Sequence, residues 1–340
     1  MQNEDPTASS RKQDHIELAF ASQTPKPDER FFYEPLFCGN QTDPDQLKCR
    51  FAGFEFNAPL WISSMTGGTE KAALINKNLA TACNEFGLGM GLGSCRSLLY
   101  SDDNLTDFSV RPFLGDRPLY ANLGIAQIEV LISEGAENRI VEMVKKLEAN
   151  GLIVHINPLQ EWFQPEGDRY AEAPLTTIRR LIDKTGLRLI VKEVGHGMGP
   201  ASLEALMQLP IDAIEFAAFG GTNFSKLEML RDKSGEVSNK AALAYVGHTA
   251  YEMVDFVNDI LARGNAQCNH FILSGGISSF LDGAYLMAAC KGESIYGQAS
   301  GFLKHAMDAY PTLQQYVSQQ IEGLAMSRQI LRNKKTTDHE

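Results

Sequence analysis

The sequence predicts an eight-stranded parallel (β/α)8 barrel of the TIM type. Three observations point to it. Eight short apolar runs recur along the chain, and nearly all are followed by a helical pattern. The runs are continuous rather than alternating, as expected of strands covered on both faces. Polar residues and glycines recur at the C-terminal ends of the runs around the whole chain, the end at which such barrels carry their sites. A doubly wound open sheet would give similar local patterns; the count of eight and the spread of the polar ends favour the barrel. The 340 residues accommodate one barrel of about 250 residues plus extensions.

The elements follow in order. Residues 1–58 precede the first run and read as an irregular, partly flexible arm. The barrel is expected over 59–329. Its strands are read at 59–65, 88–94, 118–124, 152–157, 188–194, 213–218, 270–276 and 294–299. Among the helices, 175–186 follows Pro174, carries Leu175, Ile178 and Ile182 at helical spacing, and stops at Gly186. A helix over 278–292 has Ser278 as cap candidate and ends at Gly292. Residues 128–151 read as one or two helices. The stretch 223–250 is too long for a simple connection and suggests a lid or an oligomer contact. Residues 330–340 read as a frayed tail.

Composition excludes several classes. Hydrophobic content of 44% supplies a sizeable core, and the formal net charge of −11 argues against nucleic acid bound along the whole surface. The six cysteines include no C-x-x-C pair, against a zinc site or a disulfide framework and in favour of a reducing compartment. The opening residues, "MQNEDPTASS", are polar and acidic, unlike a secretory signal. No run approaches the roughly 18 apolar residues of a membrane helix. The expectation is a soluble, cytoplasmic protein without nucleic-acid or membrane partners.

The strand ends carry the chemistry. "SGGI" (274–277) and "GQASGF" (297–302) end the seventh and eighth strands. Glycines there let backbone N–H groups approach an anion, so a phosphate site is a better reading than two ordinary turns. "SSMTGGT" (63–69) offers Ser64, Met65 and Thr66 along a planar ring, or else a plain strand-to-helix turn. "GLGSCR" (91–96) places Arg96 for an anion, although a lone arginine is more often a surface residue. Asn122 would point into the mouth from "ANLG", and Thr222 lies on the same rim in "FGGTNF". Lys192 sits within an apolar strand, where an unpaired lysine is costly and demands an anionic partner. Glu193 is the bland candidate and an anionic cofactor the functional one. "HINPLQE" (155–161) packs four hydrogen-bonding side chains behind a purely apolar run, as a buried strand does when it surfaces in a mouth. The basic cluster "RKQDH" (11–15) stands out in an acidic arm, and folding over the mouth would bring Arg11 and Lys12 to a phosphate.

Taken together, "RKQDHI", "SSMTGGT", "GSCR", "ANLG", "HINPLQE…PEGDR", "VKEVGHGM", "GGTNF" and "SGGI" resemble, in order and spacing, the type 2 isopentenyl diphosphate isomerases. The match runs from about residue 11 to 305, and "HINPLQE" followed by "PEGDR" is its most specific part. The resemblance implies an FMN-binding TIM barrel that converts isopentenyl diphosphate to dimethylallyl diphosphate. FMN would be used in its reduced form, with NADPH as reductant and Mg²⁺ on the diphosphate. It assigns Ser64, Met65, Thr66, Ser94, Asn122, Lys192 and Thr222 to the flavin, and Gly275, Gly276, Ala299 and Ser300 to its phosphate. Arg11, Lys12, Ser94, Arg96, His155, Asn157 and Gln160 are assigned to the substrate, and Glu161 to the metal. Gln160, Lys192 and His155 are the implied catalytic residues. A homo-oligomer, tetramer or octamer, is implied as well. The chain departs from the family pattern at Cys95, where glutamine is frequent, and at "CKGES" before the eighth strand.

Two other readings compete. An FMN-dependent 2-hydroxy acid oxidase uses the same barrel, but this chain has "FGGTNF" where that family carries "HGGRQ". A non-catalytic flavin- or phosphate-binding barrel would not need Gln160, Glu161 and the basic arm together.

Overall fold

The computed structural model describes residues 8–64, 70–231 and 239–334. Eight parallel strands close into a barrel in chain order. They are β1 (Leu60–Ile62), β2 (Gly89–Gly91), β3 (Leu119–Gly124), β4 (Gly151–His155), β5 (Leu189–Lys192), β6 (Ala213–Glu215), β7 (His270–Ser274) and β8 (Glu293–Gln298). Each lies within or overlaps one of the eight expected runs. Most runs extend beyond their strand, because their last polar residues belong to the mouth loops.

Strand parity sorts the side chains. Leu60, Ile62, Leu119, Ala121, Leu152, Val154, Leu189, Val191 and Ile214 face outward into the core shared with the helices. Trp61, Tyr120, Ile153, Ile190, Ala213, Ile272 and Ile295 face inward and form a separate apolar cluster in the barrel. Two positions further along, the same inward columns become Ser63, Asn122, His155, Lys192, Glu215 and Ser274. The barrel is therefore filled with hydrocarbon below and polar groups above.

The arm is more ordered than the sequence suggests. Strands Cys49–Phe51 and Phe54–Phe56 form an antiparallel hairpin. Phe51 and Phe56 complete the inner apolar cluster, so the hairpin plugs the N-terminal end of the barrel. The plug is latched by polar groups. Arg188 donates to Asp212 Oδ2 at 2.8 Å and to Ala52 O at 2.5 Å, and its guanidinium lies 4.4 Å from the centre of the Phe54 ring. The buried Tyr120 hydroxyl donates to the same Asp212 oxygen. Strand Phe31–Tyr33 pairs antiparallel with Leu331–Asn333. These last three residues fall within the stretch read as a frayed tail, and both strands are too short to register as a periodic pattern. The remainder of that stretch, 335–340, lies outside the described residues.

Most helix readings match the structure. Pro174–Thr185 is closed by Gly186 in the left-handed conformation. Residues 128–151 hold parts of two helices, Ile125–Ser133 and Asn138–Lys146. The cap of Phe280–Ala289 is Ser279 rather than Ser278, in a capping box with Asp282. Within 223–250, helix Phe224–Arg231 packs against Pro158–Phe163, which follows β4, so it lies over the mouth.

Replacing Asp212 with alanine should leave the Tyr120 hydroxyl and Arg188 without their acceptor. We expect a loss of about 1–3 kcal/mol in urea denaturation; an unchanged midpoint would remove the latch from the account.

Candidate functional site

A cavity opens at the C-terminal ends of β1, β5, β6, β7 and β8, lined by Ser63, Ser64, Lys192, Glu215, Thr222 and the loops 274–278 and 297–300 among others. It encloses about 240 Å³, just below the usual range of small-molecule sites. One side is built of backbone. Gly275 has φ +89°, and a Cβ there would come within 2.1 Å of Ala218 N, so only glycine lets the β6 and β7 loops touch. Gln298 ties the β7 and β8 loops together: it donates from Nε2 to Ile277 O at 3.4 Å and accepts the Tyr316 hydroxyl at 2.8 Å.

The other side is charged. Lys192 is only 7% exposed, and its ammonium donates to Glu193 O at 2.9 Å. It takes the carbonyl of Glu193, not the carboxylate. That carboxylate instead accepts the backbone N–H groups of Val194 (2.6 Å), His196 (2.6 Å) and Gly197 (3.2 Å). Burial raises the Glu193 carboxyl above its ordinary range, and the N–H donors oppose the rise. Glu193 thus anchors the loop, and its carboxylate is not spent on Lys192, which faces the cavity. His196 continues the anchor: its Nδ1–H donates to Val246 O at 2.6 Å, and Nε2 is hydrogen-bonded to the Ser225 hydroxyl at 2.7 Å. The β5 loop is thereby fastened to the helix over the mouth.

"HINPLQE" folds as one unit with "PEGDR". His155 Nδ1 lies 2.6 Å from Asn122 Oδ1, which sets Nδ1 as donor. Asn157 donates from Nδ2 to Glu161 Oε1 at 2.9 Å and to Gln160 Oε1 at 3.1 Å. The second Glu161 oxygen accepts Asp168 N–H at 2.7 Å. A Cβ at Gly167 would come within 1.9 Å of Glu161 O, so the turn that brings Asp168 round requires glycine. Gln160 donates to Glu228 Oε1 at 3.4 Å, and Glu228 Oε2 accepts from Arg231 at 2.5 Å. Arg96 and Gln127 both donate to Asp168 Oδ2 at 2.6 Å.

Of the sequence-predicted residues, Ser64, Lys192, Thr222, Gly275, Gly276, Ala299 and Ser300 all line the cavity. Asn122, His155, Asn157, Gln160 and Glu161 form the adjoining network, with Arg96 at its edge and Ser94 exposed beside it. Met65 and Thr66 lie outside the described residues. Arg11 and Lys12 sit on the exposed helix Ala8–Leu18. Sequence reasoning missed Glu215, Asp168 and Glu228. The strand parity that turns Lys192 inward also places Glu215 inward. Asp168 lies within "PEGDR" but was given no role of its own, and no motif marked Glu228, whose contact to Gln160 spans 68 residues.

Burial, and then the Lys192 ammonium, push the His155 imidazolium down to about 3. The folded value lies below the ordinary 6.5, so the unfolded chain binds this proton first as pH falls. The stabilisation is complete above about pH 6.5 and is lost as pH falls toward the folded value. In a histidine NMR titration the His155 ring should stay neutral to about pH 5; protonation near pH 6.5 would contradict the buried, lysine-facing setting.

No family model matches the chain. Among curated proteins, the isopentenyl-diphosphate delta-isomerase of Rickettsia felis is 35% identical over 324 residues, covering 93% of this chain and 91% of the relative. That of a Nostoc species is 35% identical over 314 residues, covering 90% and 86%. Solved structures share the fold at lower identity. A mandelate oxidase mutant with an FMN adduct aligns with a TM-score of 0.55 at 13% identity, over 90% of this chain and 87% of the other. The flavin-binding domain of baker's yeast flavocytochrome b2 gives 0.60 at 12% identity, over 88% and 71%. The barrel is thus shared with the oxidases, whereas sequence kinship over nine-tenths of the chain lies with the isomerases. The chain belongs to the isopentenyl-diphosphate delta-isomerase family, in its type 2 barrel form, and is an isomerase.

Proposed function

We propose that the chain converts isopentenyl diphosphate to dimethylallyl diphosphate with reduced FMN as the bound acid–base group and Mg²⁺ on the diphosphate. The observation that carries the reading is the cavity with a buried lysine on one side and backbone glycine loops on the other. A planar, anionic group fits it. Ser63 Oγ, Ser64 Oγ and Glu215 Oε2 are buried without a partner, and Gly275 keeps the loop backbone bare. Ser64, Asn122, Lys192 and Thr222 would hold the ring, with Met65, Thr66 and Ser94 completing the set. Gly275, Gly276, Ala299 and Ser300 would hold the phosphate. When bound, the reduced flavin supplies the proton donor and acceptor that an unactivated alkene demands.

The chain's own residues do the rest. Lys192 places a buried positive charge that favours an anionic ring. Gln160 is a poor acid, but Asn157 and Glu228 fix both ends of its amide, so it can orient a proton. His155 is neutral and held by Asn122, so it positions without competing for the proton. Arg96, Asn157, Ser94 and the helix carrying Arg11 and Lys12 are the groups assigned to the diphosphate.

Among the described residues no cluster of three metal-ligating side chains exists. That suits Mg²⁺, which is held by one or two carboxylates plus substrate phosphates and waters. Glu161 is the carboxylate assigned to it. NADPH is the proposed reductant, and the cytoplasm the proposed compartment. No helix among the described residues is long and apolar enough to cross a membrane. A homo-oligomer is proposed because Phe20, Leu36 and Phe37 are all more than three-quarters exposed.

Gln160→Ala should lower kcat by about 100-fold or more with FMN still bound; near-normal turnover would remove Gln160 from the chemistry. Glu161→Gln should raise the Mg²⁺ concentration for half-maximal activity by roughly tenfold or more; an unchanged Mg²⁺ response would release Glu161 from the metal. The oxidase reading, which the fold permits, predicts that lactate or glycolate bleaches the bound flavin, and the isomerase reading predicts that they do not.

A further inference from the structure

Glu215 is fully buried inside the barrel yet contributes to the cavity wall. Its Oε1 accepts a long hydrogen bond from the Ser274 hydroxyl, 3.3 Å, and its Oε2 has no partner. The Ser274 hydroxyl oxygen is engaged elsewhere, accepting Ala217 N–H at 2.9 Å. Lys192 is the register neighbour of Glu215 on the adjacent strand and lines the same cavity. Among the described residues the two form no ion pair, since the Lys192 ammonium is turned to Glu193 O. A buried carboxylate oxygen without a donor is expensive, and nothing in the barrel compensates it.

The two side chains are chemically opposite. An ammonium can only donate, and a carboxylate can only accept. Side by side on neighbouring strands, they present a donor and an acceptor to one edge of a planar ligand. The pyrimidine edge of a flavin carries the matching set, carbonyl oxygens flanking an imide N–H, and this is the only ring N–H of the oxidised flavin.

We infer that Glu215 is a cofactor-binding residue whose free carboxylate oxygen accepts the flavin imide N–H while Lys192 donates to a neighbouring carbonyl. The inference rests on the flavin reading and assigns it a residue outside the set that the sequence motifs supply. It also accounts for Lys192 being left without a carboxylate partner among the described residues: Glu215 is held in place for the ring and does not neutralise the lysine beforehand.

The test compares FMN with FMN methylated on the imide nitrogen, by fluorescence titration of the full-length protein stripped of flavin. The wild type should bind the methylated cofactor roughly tenfold or more weakly. Glu215→Ala should bind FMN more weakly and should lose most of that discrimination. Glu215→Gln keeps one acceptor oxygen and should fall between. Equal binding of the two cofactors by the wild type would overturn the inference and leave the flavin reading intact. Binding of neither would overturn both. Full discrimination retained by Glu215→Ala would also overturn it; should that variant fail to fold, an unchanged ratio in Glu215→Gln would do so.

Discussion

Everything in this structure depends on the alternation of side chains along eight short strands that close on themselves. Closure forces every second residue of every strand into one shared interior. The sequence fills that interior in two tiers. Trp61, Tyr120, Ile153, Ile190, Ala213, Ile272 and Ile295 make the lower one, and the Phe51–Phe56 hairpin seals it from below. Two residues later the same columns deliver Asn122, His155, Lys192, Glu215 and Ser274, largely or wholly out of water. A slip of one residue in any strand would put its polar group among the helices and its hydrocarbon in the mouth.

The upper tier is electrostatically unusual because its charges are not paired with one another. Lys192 and Glu215 are neighbours in register, yet each spends its hydrogen bonds elsewhere. Glu193, the obvious counter-ion in sequence, is consumed by three backbone N–H groups. After burial, the lysine's charge helps keep His155 neutral, and it also acts on the Glu193 carboxyl. A site that holds such groups ready, at a cost in stability, is preorganised for a ligand that completes them. The substrate side is built differently. There Glu161, Asn157, Gln160, Asp168 and Arg96 are linked by hydrogen bonds across a short helix and one turn, with only Asn157 Oδ1 among them buried and open. That arrangement orients groups without burying unpaired charge.

How much of this was legible in the sequence depends on range. The barrel was legible because continuous apolar runs and their polar ends are local signals. Lys192, Asn122 and "HINPLQE" were legible for the same reason. Glu215 obeyed the same parity but was overshadowed by the glycines that follow it. Asp168 and Glu228 join the network only through folding, over 72 residues to Arg96 and 68 to Gln160 respectively. The pairing of Phe31–Tyr33 with Leu331–Asn333 spans almost the whole chain, and each strand is three residues long. The hairpin plug was hidden for a related reason: two three-residue strands with their aromatic residues at alternate positions look like loop until the barrel supplies the surface they cover.

The central claim is that this isomerase works through a bound flavin. Its most direct test is the visible spectrum of the purified full-length protein, followed by conversion of isopentenyl diphosphate with Mg²⁺ under oxidised and reduced conditions. The account predicts a flavin spectrum, and turnover that appears only after the flavin is reduced and consumes no reductant per product formed. A colourless protein that binds no added FMN, or turnover at full rate without flavin, would contradict it.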